Sequence, residues 1–514
     1  MANQTLFQTI AGKVLRRPDA TNSAGAPAYA FELRHALAQY AATGCLNSTF
    51  YASAEMQLDE VLRLCDAVPA EFIAKTALYA RERGFMKDMP ALLCALLSVY
   101  DAALCERVFD RVIDDGKMLR NFVQIVRSGV IGRKSLGSMP KRLVQRWFAE
   151  RTDEEIFRAS VGQSPSLAEV LKLAHPRPET ASRRALYAYL VGRPYDAEAL
   201  PAMVQAFELF KRCGGEVPDV PFQLLTSLPL DSHAWRSIAR NATWQQTRMN
   251  LATFARHGVF SQPRMKLRVA ERLRDKNAIR RARVMPYQLL TAYLSSSAAG
   301  SELPEVIREA LQDALDVSLA NVPSISGRVF VCCDVSGSMS SPVTGHREGA
   351  TTKVRCIDVA ALVSAAMLRK NDCEVLAFEE AVVPLLLNRR DSVMLNALQL
   401  ASIGGGGTNC SAPLAELNHR RERGALVVYV SDNESWVDAG RNTGMMREWA
   451  TFKARNPAAK LVCIDLAPNR TTQAYDDEDV LNIGGFSDVV FEVIAAFMNG
   501  AGDHWVETIN KVQL

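Results

Sequence analysis

The sequence lacks the cysteine patterns of zinc and disulfide proteins. Its eleven cysteines are scattered, with no CxxC pair and no Cys/His cluster at zinc-ligand spacing. No apolar run approaches the roughly 18 residues that span a bilayer, and the first twenty residues contain no apolar signal-peptide core. We therefore expect reduced thiols, no membrane association and a cytoplasmic location. We also expect a monomer.

The sequence also contains little that indicates catalysis. The glycine run before Thr408 does not continue into the Gly-Lys-Ser/Thr ending of a P-loop. There is no G-x-S-x-G nucleophile elbow, and Asp334-Val-Ser336 lacks the second aspartate of an aspartyl phosphotransferase. We find no pair of catalytic acids and no His/Cys dyad in a recognisable setting. We expect no enzymatic activity, and a metal-dependent nuclease is the least favoured alternative.

Positive charge is concentrated in the first part of the chain. Residues 1–320 contain 42 Lys and Arg against 33 Asp and Glu, whereas residues 321–514 contain 18 against 23. The stretch 232–283 alone has 13 basic residues and two acids, Glu271 and Asp275. Because a solvated helix face normally mixes the two signs, this surplus indicates a polyanionic partner.

The first 300 residues have the pattern of many short amphipathic helices. Apolar residues recur at spacings of three and four, as in 90–100, 166–173 and 243–257, and alternating β-branched runs are nearly absent. Such helices without strands predict stacked helical pairs, an α-solenoid. We expect a loop at 295–301, where serine, alanine and glycine cluster.

The remainder of the chain alternates strands and helices. Continuous apolar strands are predicted at 328–334, 373–378, 425–431 and 460–465, with helices between them. This alternation predicts an α/β fold with a doubly wound parallel sheet. Its ligand site should lie at the carboxyl ends of the strands.

Polar residues follow three of these elements in a pattern that fits a metal site. The candidate ligands are Asp334, Ser336, Ser338, Thr408 and Asp432. Two carboxylates and three hydroxyls at one edge of a sheet form a hard-oxygen set, which suits Mg²⁺. This constellation resembles the metal-ion-dependent adhesion site of von Willebrand A (vWA) domains. The alternative is that Asp334 and the serines only cap the following helix, or that the site is structural.

The basic residues of the helical part are candidates for contact with nucleic acid. The candidate RNA-binding residues are Arg127, Arg133, Lys134, Lys141, Arg142, Arg158, His175, Arg177, Arg248, Arg264, Lys266 and Arg268. Lysine and arginine in such numbers neutralise phosphates and make binding dependent on salt. The alternatives are a solvated helix face and pairing with acids on neighbouring helices. Trp147 and Trp244 either stack on bases or belong to the core.

The order of several motifs resembles the Ro autoantigen family of RNA-binding proteins. The segments LNSTFYASAEMQ, GRKSLGSMPKRLVQRWF, LKLAHPRP and KNAIRRARVMPYQLLTAY resemble the TROVE module, and DVSGSM, IGGGGTNCSAPL and SDNESWVD follow them. The resemblance implies a TROVE-like helical-repeat RNA-binding domain at 1–320, with HEAT-like repeats in a ring. It implies a vWA-like domain with the metal site at 321–514.

The resemblance also implies a function and a set of contacts. A small noncoding RNA of the Y type would bind the basic outer surface, 3′ ends of misfolded RNA would enter the ring, and an exoribonuclease is an implied partner. His175 matches the family's RNA-contacting histidine, and Arg158 falls where the family has a lysine. Gly162 falls where the family usually has an arginine, which puts the affinity for that RNA in doubt.

The second hypothesis is that the protein is a metal-dependent interaction scaffold. In it, the metal of the vWA-like domain captures an acidic group of a partner protein, and RNA binding is secondary. Asp334→Ala should separate the two, because it removes a metal ligand without touching the basic helices.

Overall fold

The structure is a computed structural model. It describes residues 15–514 except 283–285, 299–302, 320–321, 347–353, 438–442, 486, 488 and 501–503, and it leaves out the side chains of 294–298. Two compact units are present. The α/β unit comprises Met1–Val68, Met285–Thr291 and Leu315–Val512, and the helical unit comprises Pro69–Val284, Ala292–Ala314 and Gln513–Leu514. The first 68 residues thus group with the vWA-like part of the sequence, although the predicted boundary lies at residue 320.

The described part of the chain begins with a small hairpin and two helices of the α/β unit. Their bounds are β1 Ala20–Thr21, β2 Pro27–Ala30, α1 Leu33–Thr43 and α2 Ala54–Ala67. The sequence pattern did not predict β1 and β2, because strands of two and four residues are too short to show an alternation.

Short helices make up the described residues from 70 to 318. They are α3 Ala70–Glu82, α4 Asp88–Tyr100, α5 Ala102–Val112, α6 Gly116–Arg127, α7 Ser138–Ala149, α8 Asp153–Ala159, α9 Leu167–Ala174, α10 Ala181–Val191, α11 Ala202–Cys213, α12 Phe222–Leu225, α13 Ser232–Asn241, α14 Trp244–Met249, α15 Leu251–Arg256, α16 Pro263–Arg274, α17 Lys276–Ala282, α18 Pro286–Ala298 and α19 Glu305–Ser318. This confirms the helical class that the periodicity predicted.

Side-chain caps fix where several of these helices begin. Asp115 accepts a hydrogen bond from the backbone N–H of Met118 at the start of α6. Thr152 and Ser166 form capping boxes at the starts of α8 and α9, each with a glutamate three residues on. Each cap satisfies backbone N–H groups that a first helical turn leaves unpaired.

Two predicted boundaries differ from the structure. The segment 243–257 was predicted as one helix, but Asn250 leaves helical geometry (φ −117°, ψ 14°) and divides it into α14 and α15. The loop predicted at 295–301 is wrong in its first part, because α18 continues to Ala298. Serine and alanine tolerate a helix, so the composition of that segment was a weak signal. Residues 299–301 lie outside the described part of the chain.

The α/β unit is built around a six-stranded sheet. Its further elements are β3 Val329–Asp334, α20 Cys356–Lys370, β4 Cys373–Phe378, β5 Val382–Val383, α21 Val393–Ala401, α22 Ala412–His419, β6 Leu426–Ser431, α23 Gly444–Arg455, β7 Lys460–Asp465, β8 Thr471–Thr472, β9 Val480–Gly484, α24 Val489–Met498 and α25 Trp505–Asn510. The strand order is β5-β4-β3-β6-β7-β9. All pairs are parallel except β4 with β5, so the sheet has one short antiparallel edge.

Helices cover both faces of this sheet. On one face, Phe330, Val427 and Leu461 pack in the core with α22 and α23. On the other face, α20 packs on β3, β4 and β6. The doubly wound arrangement is confirmed.

The strand order reverses at β3, whose two neighbours are β4 and β6. In such sheets the loops leave in opposite directions at the reversal, so a cleft opens outside the carboxyl ends of these strands. The structure therefore directs attention to the residues after β3 and β6. No helix among the described residues is long and apolar enough to cross a membrane.

Candidate functional site

All five predicted metal ligands lie at this edge of the sheet. Asp334 ends β3, Ser336 and Ser338 lie in the turn that follows, Asp432 comes directly after β6, and Thr408 ends the glycine loop. All are nearly inaccessible to solvent, with exposed fractions between 0% and 7%. Because β3 and β6 are parallel neighbours, their ends meet, and residues nearly one hundred positions apart become adjacent.

Hydrogen bonds hold the first carboxylate and the two serines in place. Asp334 accepts at Oδ1 from the backbone N–H of Ser336 over 2.9 Å and at Oδ2 from the Ser431 hydroxyl over 2.5 Å. The hydroxyls of Ser336 and Ser338 lie 3.3 Å apart. Both serine hydroxyls therefore face the same point from one short turn, as two ligands of one ion would. The capping alternative explains only the Asp334–Ser336 bond.

Among the candidate ligands, Asp432 has the environment that best fits a cation. Its Oδ1 is buried and has no hydrogen-bond partner among the described residues. Burial and the nearby charge of Asp334 raise the pKa of Asp432 to about 8, and burial also raises the pKa of Asp334. Two buried carboxylates without a counter-charge repel each other, and a divalent ion would relieve this cost. The donor set thus fits a hard cation such as Mg²⁺.

The glycine loop reaches the site because two of its positions exclude side chains. Gly406 has φ +64°, and its carbonyl accepts from the N–H of Gly337 over 3.2 Å. A Cβ on Gly407 would lie 2.5 Å from the Trp436 ring. The loop therefore lies directly against the turn of the two serines, and this contact places Thr408 at the site.

Several residues at the site were not predicted from the sequence. Burial raises the pKa of Glu434 to about 7, and its carboxylate accepts from the N–H of Ser23 over 2.8 Å. Asp465, at the end of β7, is also buried and accepts from Gln39 over 3.0 Å. Burial raises the pKa of the Tyr51 phenol, and the charge of Asp432 raises it further. Of these residues, only Glu434 could have been suspected from the sequence, because it follows Asp432 by two residues. Nothing in the sequence indicates the contacts that residues 15–68 make here.

The first basic cluster of the helical unit surrounds one short helix. α9, about 12 Å long, packs against both α6 and α7. Glu169 lies in the first turn of α9. Hydrogen bonds from Ser166 lower the pKa of its carboxyl, and the positive charge of Arg127 at the end of α6 lowers it further. At the other end of α9, Gln145 of α7 donates to the carbonyl of Ala174 over 2.7 Å. The structure thus brings the predicted residues of 127–142 next to those of 175–177. We call this set the α9 cluster: Arg127, Lys134, Lys141, Arg142, His175 and Arg177.

Most cations of the α9 cluster are available to a ligand. Arg127, Lys134, Arg142, His175 and Arg177 are exposed and Lys141 is half-buried. Among the described residues, none of these arginines and lysines has an acidic partner within 4 Å. His175 has a left-handed backbone (φ 51°) that ends α9 and directs its ring outward. Arg146, in the same helix as Lys141, differs because it pairs with Glu106 and Asp110.

Three predicted RNA-binding residues are buried or already have partners within the protein. Arg133 donates to the carbonyl of Ser98 over 2.7 Å, and its Nε is buried. Arg158 pairs with Asp219 over 2.9 Å. Arg248 was expected on the basic surface, but in the structure it is only 8% exposed. In each case packing of the helix, which the sequence does not reveal, decides the direction of the side chain.

The second basic stretch lies on α16 and is separate in sequence. Arg264 and Arg268 are exposed and Lys266 is half-buried, while Arg274 at the end of the helix pairs with Glu309 and Asp313. Arg283, part of the basic run after α16, lies outside the described residues. α16 packs mainly on α13, α14 and α17, whereas the α9 cluster lies around α6, α7 and α9.

Gly162 falls where the family usually has an arginine, and the side chain of Arg120 lies next to it. Gly162 has φ +113°, and a Cβ at this position would lie 2.6 Å from a terminal nitrogen of Arg120. Arg120 also donates to the carbonyl of Ala159 over 2.8 Å. Both residues line a cleft of roughly 600 Å³ together with Lys117 and Arg158. A guanidinium is therefore present beside position 162, although it comes from α6.

The two tryptophans belong to the core. Trp147 and Trp244 are 1% and 5% exposed, and their indole N–H groups donate to the carbonyls of Ile113 and Leu273. Neither ring is available for stacking on a base.

Comparisons with known proteins agree with this architecture. Residues 328–498 match the family model described as the Ro60 vWA domain. The chain is 25% identical to a Deinococcus radiodurans protein named RNA-binding protein RO60, over 93% of this chain and 95% of the relative. A Caenorhabditis elegans protein of the same name is 23% identical over 49% of this chain, which spans only 39% of that relative.

A solved structure has the same fold. The crystal structure of the Deinococcus radiodurans Ro protein aligns with a TM-score of 0.59 and 21% identity, covering 91% of this chain and 100% of that one. These findings confirm the predicted resemblance and the fold class, a helical region with an α/β vWA domain. The ring and the HEAT-like repeats stay predictions. The curated relatives are named as RNA-binding proteins, not as enzymes.

Proposed function

We propose, since this chain belongs to the Ro family, that it binds RNA through the exposed cations of its helical unit and has no catalytic activity of its own. The α9 cluster carries this proposal, because it gathers around one short helix mostly exposed cations whose arginines and lysines have no acidic partner among the described residues. Cations without acidic partners cost little to bring against phosphates, whereas a paired arginine must first give up its carboxylate.

The proposed RNA is small, noncoding and structured, of the Y-like type, and 3′ ends of misfolded RNA are a second proposed ligand. We further propose a role in RNA quality control or processing, with an exoribonuclease as partner. The names of the curated relatives support RNA binding. The cations lie on helix ends and loops, which favours recognition of backbone and shape over base edges.

The test measures binding of a structured small RNA at several salt concentrations. Affinity should fall steeply with salt, because phosphate contacts release counterions. The double variant Arg142→Ala/His175→Ala should bind roughly tenfold or more weakly, with a salt slope smaller by about one. Arg146→Ala is the matched control, since its guanidinium on the same helix is already paired, and its affinity should stay near that of the wild type. Equal losses in both variants, or no salt dependence, would contradict the proposal.

We also propose that the vWA domain binds Mg²⁺ through Asp334, Ser336, Ser338, Thr408 and Asp432. The unpartnered Oδ1 of Asp432 supports this assignment. When bound, the ion supplies an open coordination position that a carboxylate or phosphate can fill. The serine hydroxyls and Asp334 orient the ligand set, and burial keeps bulk water away from it.

One observation favours the second function, a metal-dependent interaction scaffold. Trp436 and Val437 are 47% and 38% exposed, and their backbone N–H groups donate to the carbonyl of Thr408. An exposed apolar pair beside an open metal position suits an acidic side chain of a partner protein. Asp334→Ala should abolish such binding and leave RNA affinity unchanged.

A further inference from the structure

One edge of the six-stranded sheet consists of β5 and the segment 384–387 that continues it. In this segment exposed and half-buried side chains alternate. Pro384 and Leu386 are exposed, whereas Leu385 and Leu387 are half-buried. A period of two is the pattern of an extended strand. Leu386 is 95% exposed, more than any other large hydrophobic side chain among the described residues. The edge therefore presents an apolar side chain to solvent, which proteins normally avoid at an unpaired strand.

Contacts hold this segment at both ends. At its start, β5 pairs with the end of β4. After it, the buried side chain of Asn396 in α21 donates to the carbonyl of Asn388 over 2.8 Å. Arg369 at the end of α20 donates to the carbonyls of residues 389 and 390 over 3.1 Å each. No hydrogen bond joins the backbone of 384–387 to another described residue. An extended backbone that is fixed in place and leaves its own groups unpaired is a template for a further strand.

A group of cations lies where the segment ends. Its members are exposed and come from the end of α20 and from the turn after the segment: Arg369, Lys370, Arg389 and Arg390. Within the described part of the chain, no carboxylate forms an ion pair with them. Glu374 in β4 is already paired with Arg328 and Arg420. Asp372 and Asp391, the acids nearest in sequence, do not pair with them either. Positive charge thus gathers at this edge, although the C-terminal part of the chain is acidic overall.

The exposed leucine, the unpaired backbone and the cations together select among possible occupants. A stable dimer buries roughly 1,200–2,000 Å², and a four-residue edge supplies only a fraction of this area for a second copy of the chain. RNA would satisfy the cations, but its phosphates gain nothing from Leu386 or from the carbonyls of an extended backbone. An acidic segment of a partner protein uses all three features. Its carboxylates meet the cations, an apolar side chain covers Leu386, and its backbone pairs with 384–387.

We propose that 384–387 binds an extended segment of a partner protein as an added strand, and that acidic residues at one end of this segment meet the four cations. The charges of the edge give the added strand a direction. Glu380 is exposed and lies at the opposite end, before β5, where it would repel an acid. The surface needs neither a metal ion nor RNA, so the inference goes beyond both proposed functions.

The test uses the full chain and fluorescently labelled octapeptides in the presence of EDTA, with binding measured by fluorescence anisotropy. One peptide has three glutamates at its amino end, and the other has them at its carboxyl end. In both, valine alternates with threonine over the remaining positions, because these residues favour an extended strand. One of the two peptides should bind, which gives the orientation of the added strand. Versions with lysine in place of glutamate should bind at least roughly tenfold more weakly, because like charges then meet.

Two variants remove the apolar contact and the charge separately. Leu386→Ser should weaken peptide binding about tenfold, because the apolar area that the peptide would cover is lost. Arg389→Ala/Arg390→Ala should weaken it about three- to tenfold and make it less dependent on salt, because exposed ion pairs are weak and screened. The replaced side chains are all exposed, so both variants should keep the fold.

Matched controls come from other exposed residues. Leu267→Ser replaces a leucine of the helical unit that is 56% exposed, and Arg421→Ala/Arg423→Ala removes two exposed arginines that precede β6. Both should bind the peptide as the wild type does. Backbone pairing is tested with peptides that are N-methylated at alternate positions. Because successive N–H groups of a strand point to opposite sides, only one of the two methylation patterns should abolish binding.

Several results would overturn the proposal. The first is that neither glutamate peptide binds, or that Leu386→Ser binds it as tightly as the wild type. The second is that both methylation patterns have the same effect. Single-stranded RNA that binds in EDTA, is lost in Arg389→Ala/Arg390→Ala and is kept in Leu386→Ser would assign the cations to nucleic acid. A dimer in sedimentation that Leu386→Ser dissociates would assign the edge to a second copy. Affinities for structured RNA and for Mg²⁺ should stay constant in all variants, so a failure here leaves the proposed functions untouched.

Discussion

The two units handle charge in opposite ways. In the α/β unit, the carboxylates of Asp334, Asp432, Glu434 and Asp465 are buried at one edge of the sheet, and their hydrogen-bond partners among the described residues include no arginine or lysine. In the helical unit, the cations of the α9 cluster are mostly exposed and have no acidic partners in the described part of the chain. A buried surplus of negative charge needs a small ion that fits inside, whereas an exposed surplus of positive charge suits an extended polyanion.

The two sites should tolerate substitutions to different degrees. The proposed metal site depends on a few fixed atoms, since hydrogen bonds from Ser431 and the backbone of Ser336 hold Asp334. Removing one of them should abolish binding. The basic surface is a sum of weaker contacts, so each cation should contribute a fraction and several must be removed together.

The largest effect is expected from Asp334→Ala in the α/β unit. Mg²⁺ affinity should fall at least roughly 100-fold, because even the outer partners of a metal site cost up to about that factor. The measurement is calorimetric titration with Mg²⁺, with RNA binding followed in parallel. Ser340→Ala is the control, since its hydroxyl only donates to the carbonyl of Gly337 in the same turn. Retained Mg²⁺ binding would mean that the acids at the sheet edge serve folding instead.

A graded effect is expected on α16. The triple variant Arg264→Ala/Lys266→Ala/Arg268→Ala should bind structured RNA about 10- to 100-fold more weakly, and the slope of affinity against salt should fall by about 0.9 for each phosphate that is no longer neutralised. Arg274→Ala is the matched control on the same helix, because Glu309 and Asp313 already neutralise this arginine. An unchanged slope in the triple variant would confine RNA binding to the α9 cluster and sharpen the contrast within the helical unit.

The location of the candidate metal ligands was predictable from the sequence because topology alone brings strand ends together. Residues directly after β3 and β6 must meet at the edge of a parallel sheet, whatever their side chains do. The same argument does not reach Tyr51, which arrives from a turn near the start of the chain. Nor does it reach the hairpin of β1 and β2, since strands this short leave no periodic pattern.

The basic surface was predictable only in its composition. Charge counting located the positive half, but the rotation of each helix about its axis decides which cations face solvent. Arg248 and Arg268 lie in the same basic stretch, yet the first is buried and the second exposed. Ion pairs are equally hard to predict from the sequence. Arg158, for example, pairs with Asp219, which lies sixty-one residues further along the chain.

A pH effect should separate the units further. Asp432 has its pKa raised from 3.8 to about 8, so the folded metal-free protein binds a proton that the unfolded chain releases. The contribution of Asp432 to the free energy of unfolding should therefore be largest below pH 4. It should fall by at most about 1.4 kcal/mol per pH unit as the pH rises toward 8. Mg²⁺ competes with that proton, so its apparent affinity should drop about tenfold per pH unit below 8.

Thermal unfolding with and without Mg²⁺ between pH 6 and 8.5 measures this effect. The stabilisation by Mg²⁺ should grow with pH in the wild type. Asp432→Asn carries no titrating carboxyl at this position, so both the slope due to this group and the stabilisation by Mg²⁺ should disappear. A stabilisation that is the same at pH 6 and pH 8 would show that Asp432 is already ionised without the metal.

The smallest effect concerns the place where this chain departs from the family pattern. Because Gly162 has φ +113° and its missing Cβ leaves room for Arg120, Gly162→Ala should destabilise the helical unit by about 1–3 kcal/mol. The displaced guanidinium should lower RNA affinity about threefold, close to the loss expected for Arg120→Ala, if it contacts one phosphate. Gly192→Ala is the control, since φ is +73° there but no atom lies within 4 Å. It should lose stability and keep its RNA affinity. If Arg120→Ala binds RNA as tightly as the wild type, the arginine beside Gly162 only supports the fold, and the cleft that it lines is not part of the RNA surface.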